Sequence, residues 1–97
     1  MPRTPSLGLI RMKIDFHKNF KKKYRKLKPS ERQKFEERLL LFEKEPFNPI
    51  LGNHSLTGEY SNYRSINITG NIRAHYEKLS SDNVLFVTIG THSELYG

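Results

Sequence analysis

Four histidines (His17, His54, His75 and His92) and a closing tyrosine, Tyr96, are the groups in this chain best suited to move protons. Histidine titrates near pH 6.5 and can take or give a proton at neutral pH. His92 and Tyr96 belong to the last nine residues, IGTHSELYG, whose first two close the apolar run 84–90. An imidazole and a phenol therefore stand where a buried strand leaves the core, and a rigid element holds side chains more accurately than a loose tail does. His17 starts a basic stretch and His75 falls in mid-strand, so both are assigned structural or solvated roles. No two histidines lie three or four apart on a helix and no carboxylates cluster with them, which argues against a metal site. No phosphate-binding glycine loop, hydrolase elbow or paired-carboxylate signature occurs, and no cofactor is implied.

What remains in the second half of the chain is a set of His, Arg, Tyr and Asn residues. That set suits RNA cleavage by the substrate's own 2′-hydroxyl. Such a reaction needs one group to remove the 2′ proton, another to protonate the leaving 5′ oxygen, and a cation for the charge developing on phosphate. Arginine is the natural clamp for that charge.

The elements that must position these groups are legible from composition and periodicity. Ninety-seven residues make one domain with a single core. There is no cysteine, so disulfides and thiolate metal sites are excluded. No stretch approaches the roughly 20 apolar residues of a membrane span, and the start lacks the apolar centre of a signal peptide. A soluble, cytoplasmic protein is expected.

The net charge of +7 is concentrated. Residues 17–28 hold seven cations (Lys18, Lys21, Lys22, Lys23, Arg25, Lys26 and Lys28) and no acid, while the remainder balances ten against ten. One basic helix therefore carries the excess. It suits nucleic acid, an anionic membrane surface or an acidic protein segment, unless it is simply a solvated face.

Residues 1–11 show no periodicity and are expected to be a flexible leader, with Met12 a plausible alternative start and the domain spanning 12–97. Residues 12–16 alternate as a half-buried strand. Phe16, Phe20, Tyr24 and Leu27 recur at helical spacing until Pro29. Ser30 with Gln33 has the form of a capping box for a second helix. Its buried stripe is Phe35, Leu39 and Phe42, widened by Leu40 and Leu41, and Pro46 ends it. Strands follow at 63–68, 72–79 and 84–90, with turns at Thr69-Gly70-Asn71 and 80–83. The expected fold is α+β with the order β-α-α-β-β-β. A helical hairpin covers one face of an antiparallel sheet, and polar side chains occupy the other.

Three segments, NPILGNHSLTGEYSNYRSINI, NIRAHY and IGTHSELY, in that order and spacing, make residues 12–96 resemble the RelE/ParE superfamily of bacterial toxin–antitoxin toxins, in its YafQ-like branch. The His-x-Leu-x-Gly element from His54 and the Gly-Thr-His-Ser element before Leu95-Tyr96 are specific in combination. The resemblance implies a small RelE-like fold of the order just read. It implies a type II toxin that cleaves mRNA in the ribosomal A site, without metal or cofactor, and that a cognate antitoxin silences. Contacts to 16S ribosomal RNA go with that activity. Operator DNA would be met only through the antitoxin.

By the same resemblance His54 matches an active-site histidine and His92 a C-terminal acid/base histidine. Tyr96 stands at a supporting aromatic, and Arg73 at the arginine that stabilises the phosphate in other RelE relatives. Asn67 stands where the branch has a further histidine, and Asn71 where it has an aspartate. Asparagine can hydrogen-bond phosphate or a base edge but takes no proton near neutral pH. Catalytic roles thus fall to His54, Arg73, His92 and Tyr96. Substrate contacts fall to Asn67, Asn71 and the helix cations Lys18, Lys21, Lys22 and Arg25. Two other outcomes fit the same resemblance: a ParE-like toxin that inhibits DNA gyrase without cutting RNA, and a degenerate toxin that retains only antitoxin binding.

Overall fold

The computed structural model describes residues 12–96; the leader expected over 1–11 lies outside them. Strand β1 (Lys13–Phe16) is followed by helices α1 (Lys18–Arg25) and α2 (Pro29–Lys44). Strands β2 (His54–Ser55), β3 (Tyr63–Asn67), β4 (Ile72–Ser80) and β5 (Asn83–Thr91) come next, and helix α3 (His92–Tyr96) closes the fold. The five-stranded sheet runs β1-β5-β4-β3-β2, with β1 parallel to β5 and the other pairs antiparallel. The β-α-α-β-β-β order is present with two additions, β2 and α3. Both are too short to display a period: two residues cannot alternate, and five make little more than one helical turn.

His17 caps α1, its Nδ1 accepting from the Asn19 N–H at 3.0 Å. The cations Lys22, Lys23 and Arg25 in the last turn complement the helix dipole. Helix α2 begins two residues earlier than the Ser30–Gln33 pattern predicts. Pro29 takes the first helical position, where its fixed φ fits and its missing N–H costs nothing. The cap therefore moves back to Lys28, whose backbone N–H donates to the Glu31 carboxylate at 2.9 Å. Tyr24 joins the two helices by donating to Glu36 at 2.9 Å.

The core lies between the helices and one face of the sheet. Phe86 is its hub, with ring centroids 5.4–5.9 Å from those of Phe16, Phe20, Phe35, Phe42 and Tyr76. Tilted and edge-on rings dominate these contacts, the arrangement that aromatic quadrupoles favour. Leu40 does not widen the stripe of α2; it is 63% exposed, because it points away from the sheet that Phe35 and Phe42 cover.

One irregularity matters for the other face. The register passes from Tyr76↔Phe86 to His75↔Thr88, so Val87 is an extra residue on β5. This bulge resets the alternation. Phe86 and Ile89, three apart, both remain in the core, while Thr88 and Gly90 pass to the uncovered face beside His75 and Arg73.

Candidate active site

Cross-strand pairing sets two rows of side chains on the uncovered face. His54 pairs with Ser65, Ser65 with His75, and His75 with Thr88. In the neighbouring row Asn67 pairs with Arg73, and Arg73 with Gly90. Directly opposed residues share a face, so three strands, β2, β3 and β4, deliver His54, Ser65, His75, Asn67 and Arg73 to one surface.

Helix α3 folds back over the first row. Tyr96 donates its hydroxyl to Ser65 Oγ at 2.8 Å and receives a hydrogen bond from His75 Nε2 at 2.9 Å. Ser65 is fully buried and His75 is 8% exposed as a result. Burial, reinforced by the charge of nearby His54, pushes the His75 imidazole down to about 4. It is neutral at physiological pH. Tyr96 as a residue stays 42% exposed, and the His92 ring packs against its ring at 4.5 Å between centroids.

A reciprocal capping box places α3. Thr91 Oγ1 accepts from the Glu94 N–H at 3.1 Å, and Glu94 Oε1 accepts from the Thr91 N–H at 2.7 Å. Hydrogen bonding from Thr91, first its backbone N–H and then its side chain, holds the Glu94 carboxyl below the usual carboxylate range, helped by Lys23 of α1 and Lys26 just past its end. The His92 N–H donates to the Asn71 carbonyl at 2.8 Å, so the β3–β4 turn also fixes His92. The Thr-x-x-Glu pattern at 91–94 is the sequence signal that would have revealed this helix.

His54 is exposed on the short strand β2. Its Nδ1 faces the Gly52 carbonyl at 2.9 Å. A carbonyl only accepts, so Nδ1 is the ring nitrogen that carries the hydrogen toward it, and in the neutral ring Nε2 holds the lone pair. The strand is held from behind by Arg64, which donates to Asn53 Oδ1 and Ser55 Oγ, each at 2.8 Å. Asn53 in turn donates to the Tyr76 hydroxyl at 2.9 Å and the Pro46 carbonyl at 2.8 Å. The β2 histidine is thus tied to the core through two polar residues that the sequence did not single out.

Arg73 is half-buried, and its Nη1 donates to the Thr69 and Ile72 carbonyls at 2.9 and 3.1 Å. It forms no cross-strand ion pair among the described residues. Asn67 lies over Gly52, which adopts a left-handed φ of 52° and leaves no room for a Cβ beneath the Asn67 amide. The Asn71 carbonyl accepts from the His92 N–H, which joins the turn to the site. On α1, Lys18, Lys21, Lys22 and Arg25 are all exposed. Lys21 and Arg25 border an apolar groove with Phe16, Phe20 and Leu39. Lys23 and Lys26 are the cations whose charge reaches Glu94 and α3. His75, set aside from the sequence as mid-strand, is the floor of the site. Its position two residues from Arg73 on β4 was the signal for that shared face.

Among the described residues no helix is long and apolar enough to cross a membrane, and no three His, Cys, Asp or Glu side chains group as metal ligands. No curated protein matches the chain. A copper-bound mutant toxin from Helicobacter pylori is similar at 27% identity, covering 88% of this chain and 99% of its own, with a TM-score of 0.65. YafQ from Escherichia coli strain BL21(DE3) shares the fold at 22% identity, 90% and 100% coverage and a TM-score of 0.67. The E. coli DinJ-YafQ toxin–antitoxin complex contains the same fold at 22% identity, 91% and 100% coverage and a TM-score of 0.66. Residues 12–97 match the family described as bacterial toxin of type II toxin–antitoxin system, YafQ. The chain therefore belongs to the YafQ family of type II toxin–antitoxin toxins.

Proposed function

We propose that this toxin is a metal-independent endoribonuclease that cuts mRNA in the ribosomal A site and is silenced by a cognate antitoxin. The observation that carries the reading is the pair of exposed imidazoles, His54 and His92, bordering a floor of neutral His75, Ser65 and Tyr96. His54 Nε2, the ring nitrogen with a free lone pair, removes the 2′-hydroxyl proton. The 2′ oxygen attacks phosphorus, the 5′ oxygen leaves with a proton from His92, and a 2′,3′-cyclic phosphate remains. Arg73 offers guanidinium N–H groups beyond its Nη1 to the phosphate. The exposed Tyr96 ring gives a base a stacking surface. A neutral His75 beneath them adds no competing positive charge when His54 takes up its proton.

The basic face of α1 suits ribosomal RNA or the transcript backbone, and in the silenced state the carboxylates of an antitoxin. The DinJ-YafQ complex supports the antitoxin partner. A reading as a weakened toxin retained for antitoxin binding rests on Asn67 and Asn71, neither of which can carry a proton. Induction of the toxin followed by mapping of 5′ transcript ends tests the proposal. Codon-phased cuts that vanish in His92→Ala are expected. Uncut transcripts together with inhibited gyrase supercoiling would overturn it in favour of a ParE-like binder.

A further inference from the structure

Outside the proton-moving groups, an open cavity of about 460 Å³ lies between α2 and the tip of the β3–β4 hairpin. Two cations one helical turn apart, Lys34 and Arg38, form one wall, and Thr69 and Gly70 form the other. The Arg38 Nε–H is shut away from water and has no acceptor among the described residues. Lys34 is held among the described residues only by Glu37 at 3.4 Å, with both side chains exposed, a surface pair that exchanges easily. A Cβ added at Gly70 would meet nothing within 4 Å, so the turn leaves the approach open. On the other side of the tip, Arg73 donates to the Thr69 carbonyl. Asn67 lines this cavity and also stands in the row with Arg73.

We infer that this cavity is a phosphate subsite for the RNA strand next to the scissile linkage. The inference rests on the nuclease reading and deepens it by giving the strand a path. The backbone leaves the His54–His92 surface, passes Asn67 and Arg73, crosses the hairpin tip, and sets a neighbouring phosphate against Lys34 and the guanidinium of Arg38. The phosphate meets the outer guanidinium nitrogens of Arg38 together with the Lys34 ammonium at the cavity wall, in the charge-assisted geometry that guanidinium groups favour. Continuity with Asn67 favours RNA over a protein carboxylate as the occupant. Glycine at position 70 gives the strand clearance at the crossing.

The test uses the full chain and a fluorescent, fully 2′-O-methylated hexaribonucleotide that cannot be cut, bound in anisotropy titrations. A panel of the same probe carries one neutral methylphosphonate at each linkage in turn. The cleaved linkage is identified separately with the unmodified sequence on translating ribosomes. In the wild type, neutralising one linkage beside the cleaved one should weaken binding about tenfold, the scale of a charge-assisted hydrogen bond. In Lys34→Gln/Arg38→Gln that loss should disappear, and the log–log salt slope should shrink by about 0.7. On ribosomes the double variant should raise KM with little change in kcat. Arg38→Lys, which keeps the charge, and the exposed single change Lys34→Gln should show intermediate losses and guard against a folding defect. Equal sensitivity of wild type and double variant to every linkage overturns the subsite, as does a wild type that does not bind the probe. Unchanged RNA binding with weakened antitoxin binding also overturns it and assigns the cavity to protein carboxylates. A wild type that shows the linkage effect but cuts no transcript leaves the subsite standing and removes the nuclease reading.

Discussion

Tyr96 and His75 are joined by a 2.9 Å hydrogen bond across 21 residues of sequence, and the phenol passes its own hydrogen to Ser65 at 2.8 Å. Through that bond the last helix is locked onto the middle of the sheet. The His92 ring, packed on Tyr96, inherits its position from the same lock. Tyr96→Phe should leave the His75 donor and Ser65 unpaired beneath the ring. It is expected to cost about 1–2 kcal/mol in urea unfolding and to slow cleavage while base stacking survives. Wild-type stability in this variant would show that the lock has no energetic weight.

His54→Ala and His92→Ala should each reduce transcript cleavage on ribosomes by about 10²–10⁴-fold, the usual contribution of a general acid or base. Both residues are exposed, so thermal unfolding should be nearly unchanged. Full activity in either variant removes that histidine from the chemistry.

Stability should fall on mild acidification through His75. Its imidazole is held down at about 4, against about 6.5 in an unfolded chain. Above pH 6.5 both states are neutral and the group contributes no pH dependence. Between pH 6.5 and 4 the unfolded chain binds a proton that the folded protein refuses, so stability declines as pH falls through that window. The difference between wild type and His75→Gln, followed by urea unfolding at several pH values, should change by up to about 3 kcal/mol across it. A flat difference would falsify the assignment of His75 as buried and neutral.

Thr91→Ala removes one half of the capping box that starts α3. The expected cost is about 1 kcal/mol, with a larger proportional loss of activity because His92 and Tyr96 both ride on that turn. Amide exchange at residues 92–96 should quicken while the strands remain protected. Unaltered exchange there would mean that the Asn71 carbonyl and the Tyr96 lock suffice to hold the helix.

The basic helix should reveal itself in salt. If the seven cations of residues 17–28 all meet phosphates, five of them on α1 and two, Lys26 and Lys28, just beyond it, the log–log slope for single-stranded RNA is roughly −5. Lys23→Gln/Lys26→Gln, which lie toward α3, should reduce the magnitude by about 1.4. A slope near zero in the wild type removes the helix from RNA binding.

Periodicity and turn chemistry were enough to read the four principal strands, the two helices and the uncovered polar face. Alternation at 63–67 and 72–76 and helical spacing at Phe16, Phe20 and Tyr24 are local signals that do not depend on partners. The helix start at Pro29 and the exposed Leu40 departed from that reading, since caps and stripe edges are decided by what the helix packs against. His54, Arg73, His92 and Tyr96 could be named from residue type and motif alone.

Their relations could not be named. Which strands neighbour one another, and in what register, is set by long-range packing around Phe86 and by the bulge at Val87. That register puts His54, Ser65 and His75 in one row and converts His75 from a mid-strand residue into the neutral floor under Tyr96. The chain by itself determined the proton-moving groups and the elements that carry them, because both are written in local residue types. Only the tertiary structure decided their tautomers, their partners and the fold-back of α3, because those depend on burial and on hydrogen bonds between residues far apart in sequence.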